Sequence, residues 1–517
     1  MKKTLIHLFI ILVVQQSFAQ TFQKTYHGGT SFDFGRSVQQ SIDGGYIITG
    51  ETSLGAGPSD MYLIKTTYDG TIQWAKTFGG AGNEYGYCVQ QTSDGGFIII
   101  GNTDTYVGGG PWDMYLVKTT SDGTLQWSKI FGGTGIEEGR SVQETNDGGF
   151  IITGYTTSFG GGADVYLVKT ASDGTLQWTK TYGYLLGTDT GESVKQTNDG
   201  GYIITGFTSM ESDQFDAYLI KTASDGTLEW TKTFGDTLDD RGYDVKQTND
   251  GGFIITGTFG RIVSIGGGGF IYYGDVYLIK TASNGTLQWT KTFGNEIDYA
   301  VGYSIQQTND GGYIIGGNRR GAHLLKTTSD GTLQWSKIYG NLLGADGKTA
   351  AQQTNDGRYI IIGTISNALT GFDVYLTKTD SSGNSGCNET NATTLISTGG
   401  MQNTGGVQGT GGAVTSNIAT QTFSGGIETT LCLTLGVNEI TEQQSVLISP
   451  NPVQNILNIQ TLETIIEVSI YELLGKKVIV NQLSSNSIDV SGLPKGMYFI
   501  KVTGENGKIF ISKFIKQ

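Results

Sequence analysis

The sequence has little proline, histidine and cysteine, and no long apolar run. Five prolines stand against 81 glycines, and without a Gly-X-Y period this composition excludes a collagen-like chain and indicates many tight turns. Three histidines and three cysteines are too few for a His-Cys zinc pattern, and they argue against a Ser-His-Asp set. Past the first 19 residues, nothing approaches the ~18 apolar residues of a membrane helix, so no transmembrane segment is predicted in the mature chain.

Positive charge is also scarce. Lys and Arg total 33 against 47 Asp and Glu, for a net charge of −14. Because phosphate contacts need a positive footprint, and no basic cluster is present, nucleic acid is excluded as a partner. Acidic charge is equally the ordinary state of a soluble secreted protein.

The N-terminus has the layout of a secretory signal peptide. Lys2 and Lys3 precede an apolar run over 5–14 and the small-residue site Ser17-Phe18-Ala19, which predicts a signal peptide over residues 1–19. The first cysteine is Cys88, so attachment as a lipoprotein is disfavoured. The mature protein is therefore expected outside the cytoplasm.

A repeated motif defines the architecture of residues 20–380. Asp-Gly-Gly-aromatic-Ile-Ile begins at Asp43, Asp94, Asp147, Asp199, Asp250 and Asp310, with a weaker copy at Asp356. The spacings of 46 to 60 residues suit a four-stranded propeller blade. The fold class predicted is all-β: a seven-bladed β-propeller, a linker and a small Ig-like β-sandwich.

Each period contains four strand-like runs, here named A to D. In the third period they are 140–145, 150–156, 164–170 and 176–182, joined at A–B and C–D by Asp-Gly turns. The last period lacks a D run, and a D-like run at 22–26 starts the mature chain. The simplest geometry lets this N-terminal strand complete the last blade and remove free edges; D-A-B-C phasing is the alternative.

Tryptophans mark the D runs. The Gly-x-x-x-Trp spacing, as in Gly174 to Trp178, resembles the tryptophan-docking repeats of quinoprotein-like propellers. That local resemblance implies that the tryptophans wedge between blades, and it implies no quinone cofactor.

Long and irregular loops are expected on one face, where the B–C and D–A connections emerge. Acidic residues in these loops predict an electronegative channel mouth that could hold Ca²⁺ or bind sugar hydroxyls; solvated carboxylates without a ligand are the alternative. No other cofactor is predicted. The B–C aromatics suit a carbohydrate ring or a protein, or they pack on blade edges. The candidate ligand-binding residues are Asp33, Glu84, Trp112, Glu137, Glu138, Asp189, Asp239, Asp240, Tyr272, Glu296 and Asp298.

Two further positions recur in every period or nearly so. Six C runs begin with aspartate, such as Asp164, which favours a turn-capping role. Each C run also carries a lysine, such as Lys169, whose stem is expected to pack along the blade with its charge in solvent.

Residues 381–436 are rich in Gly, Thr, Ser and Asn. They are interpreted as an extended linker, with a weak strand module as the alternative. Cys387 and Cys432 bracket the segment and are a candidate disulfide in an exported protein.

The tail, residues 437–517, carries three motifs in order. They are Ile-Ser-Pro-Asn-Pro at 448–452, Ile-Tyr-Glu-Leu-Leu-Gly-Lys-Lys-Val at 470–478 and Ile-Asp-Val-Ser-Gly-Leu-Pro-Lys-Gly-Met-Tyr-Phe-Ile-Lys-Val at 488–502. Within them the sorting-motif residues are Pro450, Asn451, Pro452, Gly475, Lys476, Gly492, Leu493, Gly496 and Tyr498. This series resembles the C-terminal sorting domain of type IX secretion substrates. The resemblance implies a Bacteroidetes-type bacterium, the Sec and type IX machineries as partners, and a secreted or surface location; a retained Ig-like surface module is the alternative.

The function expected is binding or adhesion to glycan or protein through the loop-rich face. Two alternatives stay open: a carboxylate-based glycan-degrading enzyme, since an acid and a base suffice for that chemistry, and a structural surface protein with no defined ligand.

Overall fold

The computed structural model consists of strands and turns. It describes residues 19–28, 32–105, 110–159, 161–184, 186–209, 214–266, 269–295, 297–340, 348–367, 371–397, 401–403, 407–409, 413–416, 421–424, 427–435, 447–460, 465–472, 477–481, 487–504 and 509–517. The chain divides into two compact units, residues 1–436 and 437–517. The predicted signal peptide lies outside the described residues, apart from Ala19.

The repeats of the first unit fold as seven antiparallel sheets, numbered here in chain order. Sheet 1 has β2 (Asp33–Gln40), β3 (Tyr46–Thr52), β4 (Asp60–Thr66) and β5 (Ile72–Gly79), and sheet 2 has β6 (Glu84–Gln91), β7 (Phe97–Thr103), β8 (Asp113–Thr119) and β9 (Leu125–Gly132). Sheet 3 has β10 (Glu137–Glu144), β11 (Phe150–Thr156), β12 (Asp164–Thr170) and β13 (Leu176–Gly183). Sheet 4 has β14 (Thr188–Gln196), β15 (Tyr202–Ser209), β16 (Asp216–Thr222) and β17 (Leu228–Gly235).

The later sheets repeat this order. Sheet 5 has β18 (Arg241–Gln247), β19 (Phe253–Gly266), β20 (Gly269–Thr281) and β21 (Leu287–Gly294), and sheet 6 has β22 (Val301–Gln307), β23 (Tyr313–Asn318), β24 (Ala322–Thr327) and β25 (Leu333–Tyr339). Sheet 7 has β26 (Ala350–Gln353), β27 (Tyr359–Asn367), β28 (Gly371–Thr379) and the N-terminal strand β1 (Ala19–His27). The pairing of β1 with β28, with Phe22 opposite Lys378, confirms that the N-terminal D strand completes the last sheet.

Each turn between the A and B strands is held by an ion pair that the sequence did not predict. In sheet 3, Lys169 Nζ lies 2.9 Å from the Asp147 carboxylate and donates to the Thr170 carbonyl, while Asp147 also accepts from the Gly149 amide. The lysine side chain is only 3% exposed. The expectation of a lysine charge in solvent is therefore wrong, because the turn aspartate reaches it. The same pair recurs in the other sheets as Lys65–Asp43, Lys118–Asp94, Lys221–Asp199, Lys280–Asp250, Lys326–Asp310 and Lys378–Asp356.

Apolar side chains fill the space between neighbouring sheets. Trp74 of sheet 1 packs on Phe97 of sheet 2, with ring centroids 5.9 Å apart, and the same pairing recurs along the chain. Phe22 occupies the tryptophan position in sheet 7 and packs on Tyr46 of sheet 1 at 6.2 Å. The predicted wedging of aromatic rings between sheets is confirmed.

Residues 389–435, called here the return segment, form seven further strands. These are β29 (Glu389–Asn391), β30 (Leu395–Ser397), β31 (Met401–Asn403), β32 (Val407–Gly409), β33 (Ala413–Ser416), β34 (Gln421–Ser424) and β35 (Ile427–Leu435). In chain order they pair with the D strands of sheets 6, 5, 4, 3, 2, 1 and 7. The interpretation of residues 381–436 as an extended linker is therefore wrong, and the alternative, a module of weak strands, agrees with these pairings. Short strands that add to an outer edge use backbone hydrogen bonds, so their sequence needs little apolar alternation.

The second unit has two antiparallel sheets. One contains β36 (Leu447–Ser449), β37 (Ile456–Gln460) and β40 (Ser487–Asp489); the other contains β38 (Ile465–Glu472), β39 (Lys477–Asn481), β41 (Gly496–Gly504) and β42 (Ile509–Lys516). Both contribute to one core, with Leu457 from the first and Ile470 and Phe514 from the second.

The return segment generates a prediction about solubility. A chain that ends at Gly386 exposes the outer edges of all seven sheets, and unpaired edges recruit other strands. We expect it to self-associate in sedimentation velocity at micromolar concentration. The matched control ends at Gly436, lacks only the second unit, and should sediment like the full mature chain. Equal behaviour of the two truncated chains would contradict this role of the return segment.

Candidate functional site

The first strands of all seven sheets line one cavity of about 440 Å³. Its lining includes Arg36, Tyr87, Arg140, Glu192 and Tyr243, one residue from each of sheets 1 to 5. Sheets 6 and 7 contribute from β22 and β26. This volume falls within the roughly 300–1,000 Å³ of small-molecule sites.

A β-bulge after a glycine places these side chains. In sheet 2 the pairing shifts between Gly86 and Cys88, which leaves Tyr87 as the extra residue. A Cβ on Gly86 would lie 2.4 Å from Thr49 Oγ1 of sheet 1, so only glycine fits there. A bulge changes the direction in which the side chain of its extra residue points, relative to the alternation of the strand. The equivalent bulged residues of the other sheets are Arg36, Arg140, Glu192, Tyr243 and Tyr303.

Three cations surround the Tyr87 ring. The distances to its centroid are 4.8 Å for Arg36 Cζ, 4.6 Å for Arg140 Cζ and 5.9 Å for Lys348 Nζ. Favourable contact with the ring face contributes about 0.5–2 kcal/mol per cation. The Tyr87 ring therefore stabilises three positively charged side chains at once.

Carboxylates hold these three cations in place. Glu51 accepts three hydrogen bonds from Arg36, at 2.8 to 3.0 Å. Glu192 lies 2.5 Å from Lys348 Nζ, and Lys348 and Arg140 hold the pKa of Glu192 below its usual value despite burial. Such charge-assisted contacts keep the cluster ionised.

The predicted electronegative mouth is wrong for five of its residues. Asp33, Glu84, Glu137, Asp189 and Asp240 are at most 1% exposed, at or next to the start of the A strands, and so cannot contact a ligand in solvent. They act as local acceptors: Glu84 takes hydrogen bonds from the Gly80 amide and the Thr103 hydroxyl.

Each of these carboxyls lies close to the aspartate that begins a C strand. Asp60 Oδ1 and Glu84 Oε2 would both lie within 2.3 Å of a Cβ built on Gly79, and Asp60 Oδ1 is buried without a hydrogen-bond partner among the described residues. Burial and the neighbouring Glu84 raise the pKa of Asp60 to about 6. Burial, joined by nearby carboxylates, likewise raises the pKa of Asp113 to about 7 and that of Asp240 to about 8. The aspartates cap loops as expected: Asp60 accepts from the Gly57 amide.

The remaining predicted residues are dispersed. Glu138 pairs with Arg140 beside the cavity, whereas Asp298 is buried against Arg319 and Arg320. Trp112 stacks on Tyr85 with centroids 5.2 Å apart, which is the expected edge packing. Tyr272 is 71% exposed on the β19–β20 hairpin, Asp239 pairs with Arg241, and Glu296 lies outside the described residues.

Two sparse residue types have defined surroundings. His323 is buried against the Ser336 hydroxyl at 2.7 Å, and burial lowers its pKa to about 3. Cys387 is in a disulfide and Cys88 is free. Gln23 lies next to both cysteines of the predicted disulfide. Its side chain donates to the Cys387 carbonyl, and its backbone is in register with Cys432 of β35. The Cys432 side chain lies outside the described residues.

Within the described part of the chain, no three His, Cys, Asp or Glu side chains are arranged to hold a metal ion. Nor does that part contain a helix long and apolar enough to cross a membrane.

In the second unit, the motif residues stabilise the ends of strands. Asn451 donates from Nδ2 to the Lys513 carbonyl and accepts from the Ile515 amide, with Pro450 and Pro452 exposed beside it. Tyr498 donates to the Pro494 carbonyl and stacks on Phe514. Leu493 packs against the core, Gly492 precedes it, and Gly496 begins β41. Gly475 and Lys476 lie outside the described residues.

Comparison with known proteins identifies this tail. Residues 447–517 match the secretion system C-terminal sorting domain, so the chain is a type IX-secreted, cell-surface or extracellular protein. No curated protein matches the chain.

Solved structures give only distant likenesses. A protein of unknown function from Bacteroides caccae is 12% identical, covering 55% of this chain and 92% of its own, with a TM-score of 0.34. A Dyadobacter fermentans protein of unknown function is 10% identical over 69% and 97%, with a TM-score of 0.38. PorZ, a surface component of the type IX secretion system of Porphyromonas gingivalis, is 8% identical over 95% and 100%, with a TM-score of 0.15.

The buried carboxyl pairs predict a pH dependence. When the pKa of a carboxyl is higher in the folded than in the unfolded state, folding is most favourable below the unfolded pKa, near ~4, where the group is protonated in both states. This stability is lost as pH rises through the folded pKa, which is about 6 for Asp60 and about 8 for Asp240. Asp60→Asn resembles the protonated form and can donate to Glu84. We expect it to raise the melting temperature by a few degrees at pH 8 and hardly at pH 5.

The matched control is Asp94→Asn. It removes a carboxylate that pairs with Lys118, and the pKa of the Asp94 carboxylate is lowered to about 2. It should lower the melting temperature equally at pH 5 and pH 8. An Asp60→Asn effect that is the same at both pH values would contradict the raised pKa of Asp60.

Proposed function

We propose that this exported protein is a surface binding module in which the seven sheets are blades of a closed propeller and the central cavity is the ligand site. The observation that carries the proposal is the cavity itself, to which the first strand of every sheet contributes. The ligand proposed is a glycan or a protein segment presented outside the cell, and adhesion is the role that such binding would serve.

Hydrogen bonds between successive sheets support closure. The backbone amide in the A–B turn of each sheet donates to the last A-strand side chain of the next. These bonds are Ile42 to Gln91, Ser93 to Glu144, Asn146 to Gln196, Asn198 to Gln247, Asn249 to Gln307, Asn309 to Gln353 and Asn355 to Gln40. The seventh bond leads from sheet 7 back to sheet 1, as a closed circle requires.

The apolar clusters support the same arrangement. One cluster combines Tyr46 and Ile64 of sheet 1 with Ile360 and Leu376 of sheet 7, just as the other clusters join consecutive sheets. A linear stack would leave the outer faces of its terminal sheets without such a partner.

Variation at the bulged position supports a binding role. The flanking glycine and the following Ser-Val or equivalent are nearly constant, yet the bulged residue is Arg, Tyr, Arg, Glu, Tyr or Tyr. A position with only a packing role in a repeat tends to keep one residue type, whereas binding residues differ on a constant scaffold.

The second unit completes the proposal. Its two sheets with a shared core suit a small Ig-like sandwich. We propose that it directs type IX sorting and surface attachment, while the propeller unit binds.

Closure can be tested with a matched pair of substitutions. Gln40→Ala removes the acceptor of the Asn355 amide and the bond to the Gly44 carbonyl. Gln247→Ala removes the equivalent acceptor of the Asn198 amide, between sheets 4 and 5, and the bond to the Gly251 carbonyl within sheet 5. In a closed circle both should cost about 1–2 kcal/mol of unfolding free energy. Because the bond to Gly44 is lost in either case, a loss for Gln40→Ala of less than half that for Gln247→Ala would contradict closure.

Binding can be tested on glycan and extracellular-protein arrays with the full mature chain. Gln306 lines the cavity, and Gln306→Trp should fill part of it and reduce the signal of any bound ligand at least tenfold. Gln306→Ala is the matched control, because it loses the same bond to the Gln353 amide without filling the cavity, and it should bind more strongly than Gln306→Trp. Silence of the wild type on both arrays, or equal binding by both variants, would contradict a cavity site.

A further inference from the structure

Positive charge is concentrated in the cavity of an otherwise acidic protein. The chain carries a net charge of −14, yet the lining has five cations, Arg36, Arg140, Lys195, Lys246 and Lys348, and two carboxylates, Glu192 and Asp244. Adding Glu51 and Glu138, which pair with the arginines from beside the cavity, still leaves an excess of positive charge.

Two of the lysines replace a structural glutamine. At the equivalent position of the other sheets, the glutamine Oε1 accepts from a backbone amide of the next first strand. These residues are Gln39, Gln90, Gln143, Gln306 and Gln352. Lysine has no acceptor atom, so Lys195 and Lys246 give up this bond between sheets. At Lys246 an ion pair with Asp244 takes the place of the lost bond, whereas no bond of the Lys195 ammonium to the described residues replaces it.

Lys195 is the least compensated of the five cations. Lys246 lies 2.6 Å from Asp244, whereas the Lys195 ammonium has no ion pair or hydrogen bond to the described residues and is offset by Asp244 only at longer range. Burial, with Lys246 nearby, lowers the pKa of Lys195. An anion placed beside these two lysines would stabilise both charged forms.

The rest of the lining suits a sugar. Tyr303 provides a ring, and Ser141 and Ser304 provide hydroxyls; the faces of Tyr87 and Tyr243 carry the cations Arg36, Arg140 and Lys348. Tyrosine combines an apolar ring with a polar tip, which matches the two kinds of surface on a pyranose. The cavity volume of about 440 Å³ accommodates a short oligosaccharide rather than a folded partner.

We infer that the cavity takes an acidic saccharide, a sugar bearing a carboxylate or sulfate group, with Lys195 and Lys246 contacting the anionic group. This inference rests on the proposed binding role of the same cavity. It adds the chemical class of the ligand and the residues that select it.

The test is isothermal titration of the full mature chain at low salt with trigalacturonate, a sulfated chondroitin disaccharide and neutral maltotriose. We expect at least one acidic probe to bind ten times more tightly than maltotriose, and the preferred probe distinguishes carboxylate from sulfate. Lys195→Gln introduces the residue of the other repeats, so it should fold with an unchanged or higher melting temperature while weakening the acidic probe about tenfold. Lys180→Gln, on the D strand β13, is the matched control and should leave affinity unchanged.

Two results would overturn the inference while leaving the binding role intact: equal affinity for maltotriose and the acidic probes, or an acidic-probe affinity that Lys195→Gln does not change. Binding of none of the three probes, together with a signal on the protein array that Gln306→Trp removes, would overturn the saccharide class alone. Binding of none of them together with silent arrays would overturn both proposals.

Discussion

Each of the seven sheets of the first unit has an outer edge whose backbone groups must be paired, and two distant parts of the chain meet that requirement. The N-terminal strand β1 completes sheet 7 against β28, and the return segment then adds one strand to each of the seven D strands. Arg319 is only 2% exposed and connects the return segment to the repeats. It donates to the Thr393 carbonyl between β29 and β30, and it pairs with Asp298, which precedes β22 of sheet 6. The first and last parts of this unit thus contribute to the same sheet, β1 and β35 being neighbours.

The inner edges follow a different rule. A glycine followed by a bulge lies near the start of each of the first six A strands, and the bulge places one variable side chain in the cavity. Packing determines the glycine and leaves the next position free to vary. The glycine and the bulge that recur in the A strands therefore bring charged and aromatic side chains together in one cavity. Tyr87, with three cations around its ring, lies in this group.

Much of the fold could be predicted from the sequence because each strand is specified locally. The Asp-Gly-Gly turns, the apolar B strands and the missing seventh D run indicated the repeated sheets and the place of β1. The return segment could not be predicted in this way, because an edge strand held by backbone bonds has no apolar period. Its Gly-Thr-Ser composition is also that of a linker.

The site was predicted less well, for a physical reason. Carboxylates near loops suggest a solvent-exposed acidic mouth, but whether Asp33 or Glu84 faces water depends on the depth at which the A strand begins, which spacing does not reveal. Both are buried and hydrogen-bonded. Two features of the sequence could have indicated the cavity residues. The residue after the A-strand glycine differs between repeats while its neighbours hardly change, and Lys195 and Lys246 stand where other repeats have glutamine.

Hydrogen–deuterium exchange of the mature chain tests most directly whether the outer edges are paired as described. If the return segment covers them, its amides in β31 to β34 and those of the D strands β5, β9, β13 and β17 should exchange slowly and together, as hydrogen-bonded partners do. Complete exchange of the return segment within seconds, while the D strands stay protected, would contradict the account.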